Sequence, residues 1–177
     1  MINLLIGLIS LIQYIDLIFT NFIYKLPIKK ISKLFSVFII YFNLLVNIIL
    51  LFYIPFKLVI LRYLIELLIV NLIFKQIINR KRPLDSLFKN NKYYGINDFT
   101  LSFKINLNKT LDSFPSGHVT TVFCTLYLIS NFTNFMFLKK IYELLLVLTF
   151  ISRVNIGAHY FSDCVWAILI SDYIYNI

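Results

Sequence analysis

The sequence contains few charged residues, few glycines and prolines, and two cysteines. Charged side chains make up 14% of the 177 residues, and glycine and proline occur 4 times each. These low numbers exclude an intrinsically disordered chain, a collagen-like chain and a glycine-rich linker protein. The cysteines, Cys124 and Cys164, have no C-x-x-C or Cys/His ligand spacing, so we expect both to be small core residues.

Hydrophobic residues, in contrast, are abundant. They account for 60% of the chain, and the mean hydropathy is +0.84, whereas a soluble domain is about 45–50% apolar. This composition excludes an ordinary water-soluble protein and predicts an all-α, polytopic membrane helix bundle. Because each span needs ~20 residues, the chain has room for one domain, residues 1–177, of about six transmembrane helices.

Six apolar runs mark the predicted spans. The first two form an N-terminal unit, residues 1–53, and the other four form a core, residues 54–177. The runs lie at about 2–24, 34–53, 54–78, 117–138, 141–157 and 160–177. The first has no basic n-region and no small-residue cleavage site, so we expect a retained helix. Residues 79–114 are polar and predict a long extramembrane loop.

The formal charge of +9 comes from an excess of lysine and arginine. In a soluble chain this excess would suggest nucleic-acid binding. Here the cations lie between apolar runs, which favours interfacial anchors, topology determinants or ligands for an anionic group, with no nucleic-acid partner. Cations at the end of an apolar run are typical of snorkelling side chains at a helix end, and this applies to Arg80, to Lys81 and to Lys75 considered by itself.

Two acidic residues, Asp16 and Glu66, lie inside predicted spans. Such residues are functional candidates by default, because a lipid-facing charge near the bilayer centre costs ~2.5–3.5 kcal/mol. The sequence assigns a role to neither of them, and pairing with Arg62 or another polar group is the simplest expectation.

Eight residues suited to phosphate chemistry lie at the ends of predicted spans. Successive spans alternate in direction, so the end of the third, the start of the fourth, the end of the fifth and the start of the sixth emerge on one face. The residues at these ends are Lys75, Arg82, Ser116, Gly117, His118, Arg153, His159 and Asp163. Three cations, two histidines and a carboxylate on one face have the ingredients for binding and cleaving a phosphate ester.

The spacing of these residues supports that chemistry. Lys75 and Arg82 are about two helical turns apart and project on one side. The Pro-Ser-Gly-His sequence opens the fourth span, where free N–H groups and the positive dipole end favour an anion. His159 and Asp163 are four residues apart, so on a helix Asp163 can accept from one imidazole nitrogen and leave the other free to attack phosphorus. Arg153 supplies a fork-shaped donor.

Three motifs in this region resemble those of the type 2 phosphatidic acid phosphatase superfamily. They are Lys75-x6-Arg82-Pro83, Pro115-Ser116-Gly117-His118 and Ser152-Arg153-x5-His159-x3-Asp163. All specified positions match, in the family's order. The resemblance covers the chain from the third span to the C-terminus, while the first two spans match only in number and length.

The resemblance implies a lipid phosphatase or diphosphatase that uses a phosphohistidine intermediate and needs neither metal nor cofactor. His159 would be the nucleophile, Asp163 would orient it, and His118 would protonate the leaving group and then activate water. The phosphate would be bound by Lys75, Arg82, Ser116, Gly117 and Arg153. Compatible substrates are a polyprenyl diphosphate, phosphatidic acid, phosphatidylglycerol phosphate and a lipid A phosphate, each held in the lipid bilayer.

Other functions fit the sequence less well. A non-catalytic lipid-binding or scaffold member of the same fold would have lost the nucleophile or the acid, and the sequence retains both. Vanadate-dependent haloperoxidases have a similar oxyanion site, but they are soluble. A transporter would show an internal repeat or broken central helices, and the sequence has no detectable repeat.

The sequence predicts a multi-pass membrane protein, of the inner membrane if it is bacterial, but leaves the face of the site open. Of the 17 Lys and Arg residues, those at positions 57, 62, 139 and 140 lie on the opposite face, and the rest lie on the site face. The positive-inside rule therefore puts the site in the cytoplasm. Many members of the superfamily instead have it on the outer or lumenal face. No pattern in the sequence indicates an oligomeric state.

Overall fold

The computed structural model describes residues 2–66, 73–93, 100–101 and 113–176, and this part of the chain is mostly helical. Its elements in chain order are α1 (Ile2–Tyr24), α2 (Lys29–Leu50), α3 (Phe56–Glu66), α4 (Lys75–Ile77), β1 (Ile78–Asn79), α5 (Leu87–Asn90), β2 (Thr100–Leu101), α6 (Gly117–Phe132), α7 (Met136–Asn155) and α8 (Phe161–Asn176). β1 and β2 pair antiparallel, with Ile78 opposite Leu101 and Asn79 opposite Thr100.

Within the described residues, two helices contain stretches long and apolar enough to cross a membrane, Gly7–Tyr24 in α1 and Lys29–Leu50 in α2. The side chains of α2 are distributed in the reverse of the soluble pattern. Leu34 and Phe38 are exposed, while serines and asparagines face the other helices. The buried residues of α2 are Ser32, Ser36, Ile39, Asn43, Val46, Asn47 and Leu50. Apolar side chains outside and small or polar ones between helices are the arrangement expected in lipid.

α7 is the central helix of the bundle, because it packs against α1, α2, α6 and α8, while α6 also contacts α2, α3 and α8. Interhelical hydrogen bonds supplement this packing. The Tyr142 hydroxyl of α7 donates to the Asn43 side chain of α2 at 3.1 Å, and the Asn47 amide donates to Thr125 of α6 at 2.9 Å. Both predicted core cysteines, Cys124 and Cys164, are buried.

Aromatic contacts show which connections share an end of the bundle. Tyr24, at the end of α1, stacks on Phe88 of α5 with ring centroids 3.4 Å apart. The backbone N–H of Leu84 donates to the carbonyl of Gly157, at 2.9 Å, in the turn after α7. Tyr53, after α2, meets Phe135, before α7, edge to face at 4.9 Å. One end of the bundle therefore contains α5 and the connections α1–α2 and α7–α8. The other end contains the connections α2–α3 and α6–α7.

The helix boundaries partly match the predicted spans. α1 has the predicted bounds, 2–24. α2 starts at Lys29, whereas a start near residue 34 is predicted, because lysines are good helix formers and continue the helix beyond its apolar part. α6 ends at Phe132, whereas an end near residue 138 is predicted, because the backbone of Thr133 is extended. The predicted third span runs across residues 67–72, which lie outside the described residues, and its last residue, Ile78, is in β1. The region predicted as a loop, 79–114, contains Asn79 of β1, α5 and β2.

Candidate active site

The structure brings the predicted phosphate-chemistry residues together at the end of the bundle that contains the α7–α8 turn. Lys75 is in α4 and Arg82 follows β1. Ser116, Gly117 and His118 begin α6, Arg153 is in the last turn of α7, His159 is in the turn that follows, and Asp163 is in the first turn of α8. The positive charges of Arg153, Lys75 and Arg82 act on both histidines.

The way α7 ends sets the relative positions of Arg153 and His159. Gly157 adopts a left-handed backbone conformation, with φ of 73°, which glycine accepts without the penalty of a Cβ. The chain then folds back on the helix end. The Arg153 carbonyl oxygen accepts hydrogen bonds from the backbone N–H groups of Ala158, at 3.2 Å, and His159, at 3.3 Å.

His159 is 2% exposed, and its Nδ1 atom lies 2.5 Å from the backbone carbonyl oxygen of Ser113. A carbonyl oxygen can only accept, so Nδ1 carries the proton and Nε2 has a free lone pair. Burial, followed by the charges of Arg153 and Lys75, holds the pKa of His159 well below its usual value. The imidazole is therefore neutral at physiological pH, as a nucleophile requires.

The predicted hydrogen bond between Asp163 and His159 is wrong. The spacing predicts this bond only for a helix that contains both residues, whereas α8 begins at Phe161 and His159 lies before it. The Asp163 carboxylate accepts instead from the Ser113 hydroxyl, at 2.5 Å, and from the backbone N–H of Tyr160, at 2.9 Å. Asp163 is therefore connected to His159 through Ser113.

Arg80 is also not the snorkelling cation that its sequence position suggests. Its side chain is completely buried and pairs with two carboxylates, Asp16 at 2.9 Å and Asp163. Its Nη1 donates to the Ser162 hydroxyl at 2.8 Å, and the guanidinium lies 3.9 Å from the centre of the Tyr160 ring. Burial alone would lower the pKa of Arg80, but the negative charges of Asp163 and Asp16 have the larger combined effect and raise it.

The structure also gives partners to Asp16, whose role the sequence left open. Its carboxylate accepts from Nη2 of Arg80, from the hydroxyl of Tyr93 at 2.6 Å, and from Ser162 through both the hydroxyl, at 2.8 Å, and the backbone N–H, at 2.7 Å. α1 thus supplies the carboxylate at the N-terminus of α8, where the helix dipole favours it. The side chains of Glu66 and Arg62 lie outside the described residues.

A cavity of about 270 Å³ is lined by Lys75, Gly117 and His118 at the start of α6. Three further lining residues, Ile40, Asn43 and Thr121, also line an apolar groove of about 410 Å³ between α2, α3 and α6. The cationic end of the cavity therefore leads into a hydrophobic path along α2. The Ser116 hydroxyl is buried beside the Cys164 thiol.

The sequence pattern of the PAP2 superfamily matches residues 56–175, which is more than half of the chain. The chain belongs to the PAP2 superfamily. Members of this superfamily are generally phosphatases that act on lipid-type phosphates, so at this level the protein is a phosphoric ester hydrolase. No curated protein and no solved structure matches the chain.

The site of this PAP2 protein has the parts needed for phosphoryl transfer. The charges of three cations act on the neutral imidazole of His159, and a second histidine, His118, lines the cavity beside Lys75. Such transfer depends mainly on positioning and on stabilising the charge of the phosphoryl oxygens. Within the described part of the chain, no group of three or more His, Cys, Asp or Glu side chains is placed to hold a metal ion.

Sequence reasoning missed Ser113, Arg80 and the connection that Asp16 makes to the site. Asp16 carried a signal, because a carboxylate inside an apolar span needs a partner. Arg80 stands in a row with Lys81 and Arg82, and nothing in the sequence separates it from them. Ser113 holds His159 through a backbone carbonyl, a group that every residue has.

Proposed function

We propose that this PAP2 protein is a multi-pass membrane enzyme that hydrolyses a phosphate ester or anhydride of a membrane lipid through a phosphohistidine intermediate, without a metal ion. The observation that carries the proposal is the protonation state of His159. Its Nδ1 proton is held by the Ser113 carbonyl, so the free Nε2 lone pair is available at a site where three cations attract a phosphate.

The reaction proceeds in two displacements at phosphorus. In the first, Nε2 of His159 forms a bond to phosphorus while the bond to the leaving oxygen breaks, and His118, which is protonated when the phosphate anion is bound, gives that oxygen its proton. In the second, His118 takes a proton from water, the water oxygen attacks phosphorus, and His159 leaves. Lys75, Arg82 and Arg153 stabilise the charge on the non-bridging oxygens in both steps.

The cavity and groove favour a lipid as the substrate. The phosphate occupies the cationic end, near Lys75 and His118, and the apolar part of the leaving alcohol lies in the groove along α2. The groove passes Leu44, Leu51 and Val59, which have no polar side-chain group. Acyl or prenyl chains fit this surface, and both mono- and diphosphates present the same terminal phosphoryl group.

The proposal includes the six membrane crossings that the sequence predicts. α1 and α2 qualify as spans by length and composition. α6 and α8 have 16 residues each, a rise of about 24 Å at ~1.5 Å per residue, which is slightly less than the ~30 Å hydrocarbon core. The site then lies at the membrane boundary, where a headgroup meets it.

The test is phosphate release by the purified, detergent-solubilised protein in EDTA, from a panel of polyprenyl diphosphate, phosphatidic acid, phosphatidylglycerol phosphate and lipid A phosphate. We expect release from at least one lipid, and we expect His159→Ala to reduce it by about 10³–10⁶-fold, because the nucleophile is removed. Asp172→Ala, at an exposed position of α8, is the matched control and should keep the parent activity.

The outcomes separate the two candidate functions. Equal turnover by His159→Ala and the parent would contradict the histidine mechanism. Binding of these lipids without release of phosphate, by folded protein, would favour the non-catalytic lipid-binding or scaffold function. Loss of activity when EDTA is added would contradict the metal-independent mechanism.

A further inference from the structure

Ser113 is held on three sides within the described structure. Its backbone N–H donates to the carbonyl oxygen of Arg80 at 3.1 Å, and its hydroxyl donates to the carboxylate of Asp163 at 2.5 Å. Its own carbonyl oxygen accepts from Nδ1 of His159 at 2.5 Å. The residue is completely buried, so water does not compete for these bonds. The position of the Ser113 carbonyl therefore depends on Arg80 and Asp163.

Arg80 and Asp163 depend in turn on α1. Nη1 of Arg80 binds Asp163 and Nη2 binds Asp16, so the guanidinium bridges two buried carboxylates. Asp16 is fixed by four hydrogen bonds, two of which come from Ser162, next to Asp163. A planar guanidinium held at both ends has little freedom to rotate. Asp16 also lies before residue 56, where the family match begins.

We propose that Asp16, Arg80 and Ser113 are positioning residues for His159. Asp16 fixes Arg80, Arg80 fixes Asp163 and the backbone of Ser113, and the Ser113 carbonyl holds the proton on Nδ1. Nε2 is thereby kept unprotonated and aimed at the phosphorus. None of the three lines the cavity beside Lys75 and His118. This inference rests on the proposed function, because it assigns the three residues to the nucleophile of that reaction.

The first test separates turnover from phosphate binding. Asp16→Asn keeps the size of the side chain and one acceptor oxygen but removes the charge that holds Arg80. We expect kcat to fall by about 10–100-fold, the size of effect found when a residue that orients a metal-ligating side chain is removed. KM and competitive inhibition by inorganic phosphate should stay close to the parent values, because the cations that bind phosphate are unchanged.

Two further variants make this test specific. Asp16→Glu restores the carboxylate and should recover part of the lost kcat. Asp172→Asn is the matched control, because Asp172 is an exposed acid of α8 that pairs with Asn176, outside the network. It should have the parent kcat. If Asp16→Asn does not fold, Ser113→Ala removes one hydroxyl and predicts the same fall in kcat.

The second test observes the imidazole directly and needs no turnover. The chain has two histidines, so His118→Gln leaves one, and ¹⁵N spectra of histidine-labelled protein then report only His159. In this background we expect the proton on Nδ1. When Asp16→Asn or Ser113→Ala is added, we expect signals of both tautomers, because the carbonyl is no longer held in place.

Several results would overturn the inference. These are an unchanged kcat in folded Asp16→Asn and Ser113→Ala, a proton on Nε2 of His159 in the His118→Gln protein, or a parallel loss of kcat and phosphate affinity. The last would show that Asp16 only supports the fold. If the parent hydrolyses no lipid phosphate while the tautomers behave as expected, the proposed function fails and the positioning of His159 stands.

Discussion

At the scale of single residues, Arg80, Asp16 and Asp163 form a buried group in which each charge has an opposite charge as its neighbour. Arg80 lies between Asp16 and Asp163, and the remaining lone pairs of these carboxylates accept from hydroxyl and N–H groups. A buried pair with one partner removed leaves an uncompensated charge, which costs about 3–5 kcal/mol. His159 avoids this cost because it is neutral.

The neutral state of His159 gives a prediction about pH. Burial and the nearby Arg153 and Lys75 lower its pKa, so the folded protein takes up this proton only well below the usual value of about 6.5. A ¹³C titration of histidine-labelled His118→Gln protein should show no protonation of His159 from pH 8 down to about 6.

The same shift affects stability, with a definite sign. Between the usual pKa of about 6.5 and the lowered pKa, the unfolded chain binds a proton at His159 and the folded chain does not, so stability falls as the pH falls through this window. A titration midpoint near 6.5 in the folded protein would contradict both the burial of His159 and its assigned neutral state.

The sequence predicts the residues whose own side chains carry the chemistry. Lys75, Arg82 and Arg153 are cations and His118 is an imidazole, and the alternating spans predict that they lie on one face. The prediction of one helix through Lys75 and Arg82 is wrong, because α4 ends at Ile77 and β1 follows it. The residues that act through another group are not predictable in this way. Ser113 contributes a carbonyl whose direction depends on contacts with residues 33 to 50 positions away.

At the scale of elements, the end of α7 has a strict requirement for glycine. A Cβ at Gly157 would lie 3.2 Å from the Cβ of Leu84 and 3.1 Å from the ring of Tyr24, and the φ of 73° disfavours any side chain. We expect Gly157→Ala to destabilise the protein by about 1–2 kcal/mol and to lower activity, because His159 follows two residues later.

Denaturant unfolding in detergent measures the effect of Gly157→Ala. The matched control is Gly7→Ala in α1, where a Cβ would meet nothing within 4 Å and the helix gains about 0.5–1 kcal/mol from alanine. Equal stability of Gly157→Ala and the parent would show that the α7–α8 turn adopts another conformation.

Helices were easier to predict than the polypeptide between them. The long apolar run of α1 has no alternative to a helix in lipid, and its predicted bounds are confirmed. The segment 79–93 was predicted as loop because charges interrupt it, yet Arg80 and Ser86 are completely buried. Arg80 is buried because its partners are in α1 and α8, and Ser86 contacts Tyr160 in the turn before α8. The charges of neighbouring residues in the sequence do not reveal these distant partners.

At the scale of the whole molecule, the site is larger than the family match. Residues 56–175 contain the motif residues, but Asp16 comes from α1, and the groove beside Lys75 is lined by α2. The two N-terminal helices therefore contribute to the site itself and are more than a membrane anchor. Their contribution could not be predicted from the motifs, which begin at the third predicted span.

The bundle also predicts how the chain crosses the membrane. Lys30, at the start of α2, and Lys89, in α5, are exposed at the end that carries the site, and Phe137, at the start of α7, is 81% exposed at the other end. Single cysteines are introduced at these positions after Cys124 and Cys164 are replaced by alanine. A membrane-impermeant maleimide applied to sealed cells or vesicles then reports the side of each position.

We expect Lys30→Cys and Lys89→Cys to be labelled from one side of the membrane and Phe137→Cys from the other, because α2 and α6 each cross between the two ends. Labelling of Lys30→Cys and Phe137→Cys from the same side would contradict this arrangement. The same measurement decides the face of the site. Labelling of Lys89→Cys from the cytoplasm would agree with the positive-inside rule, and labelling from outside would place lipid hydrolysis in the outer leaflet.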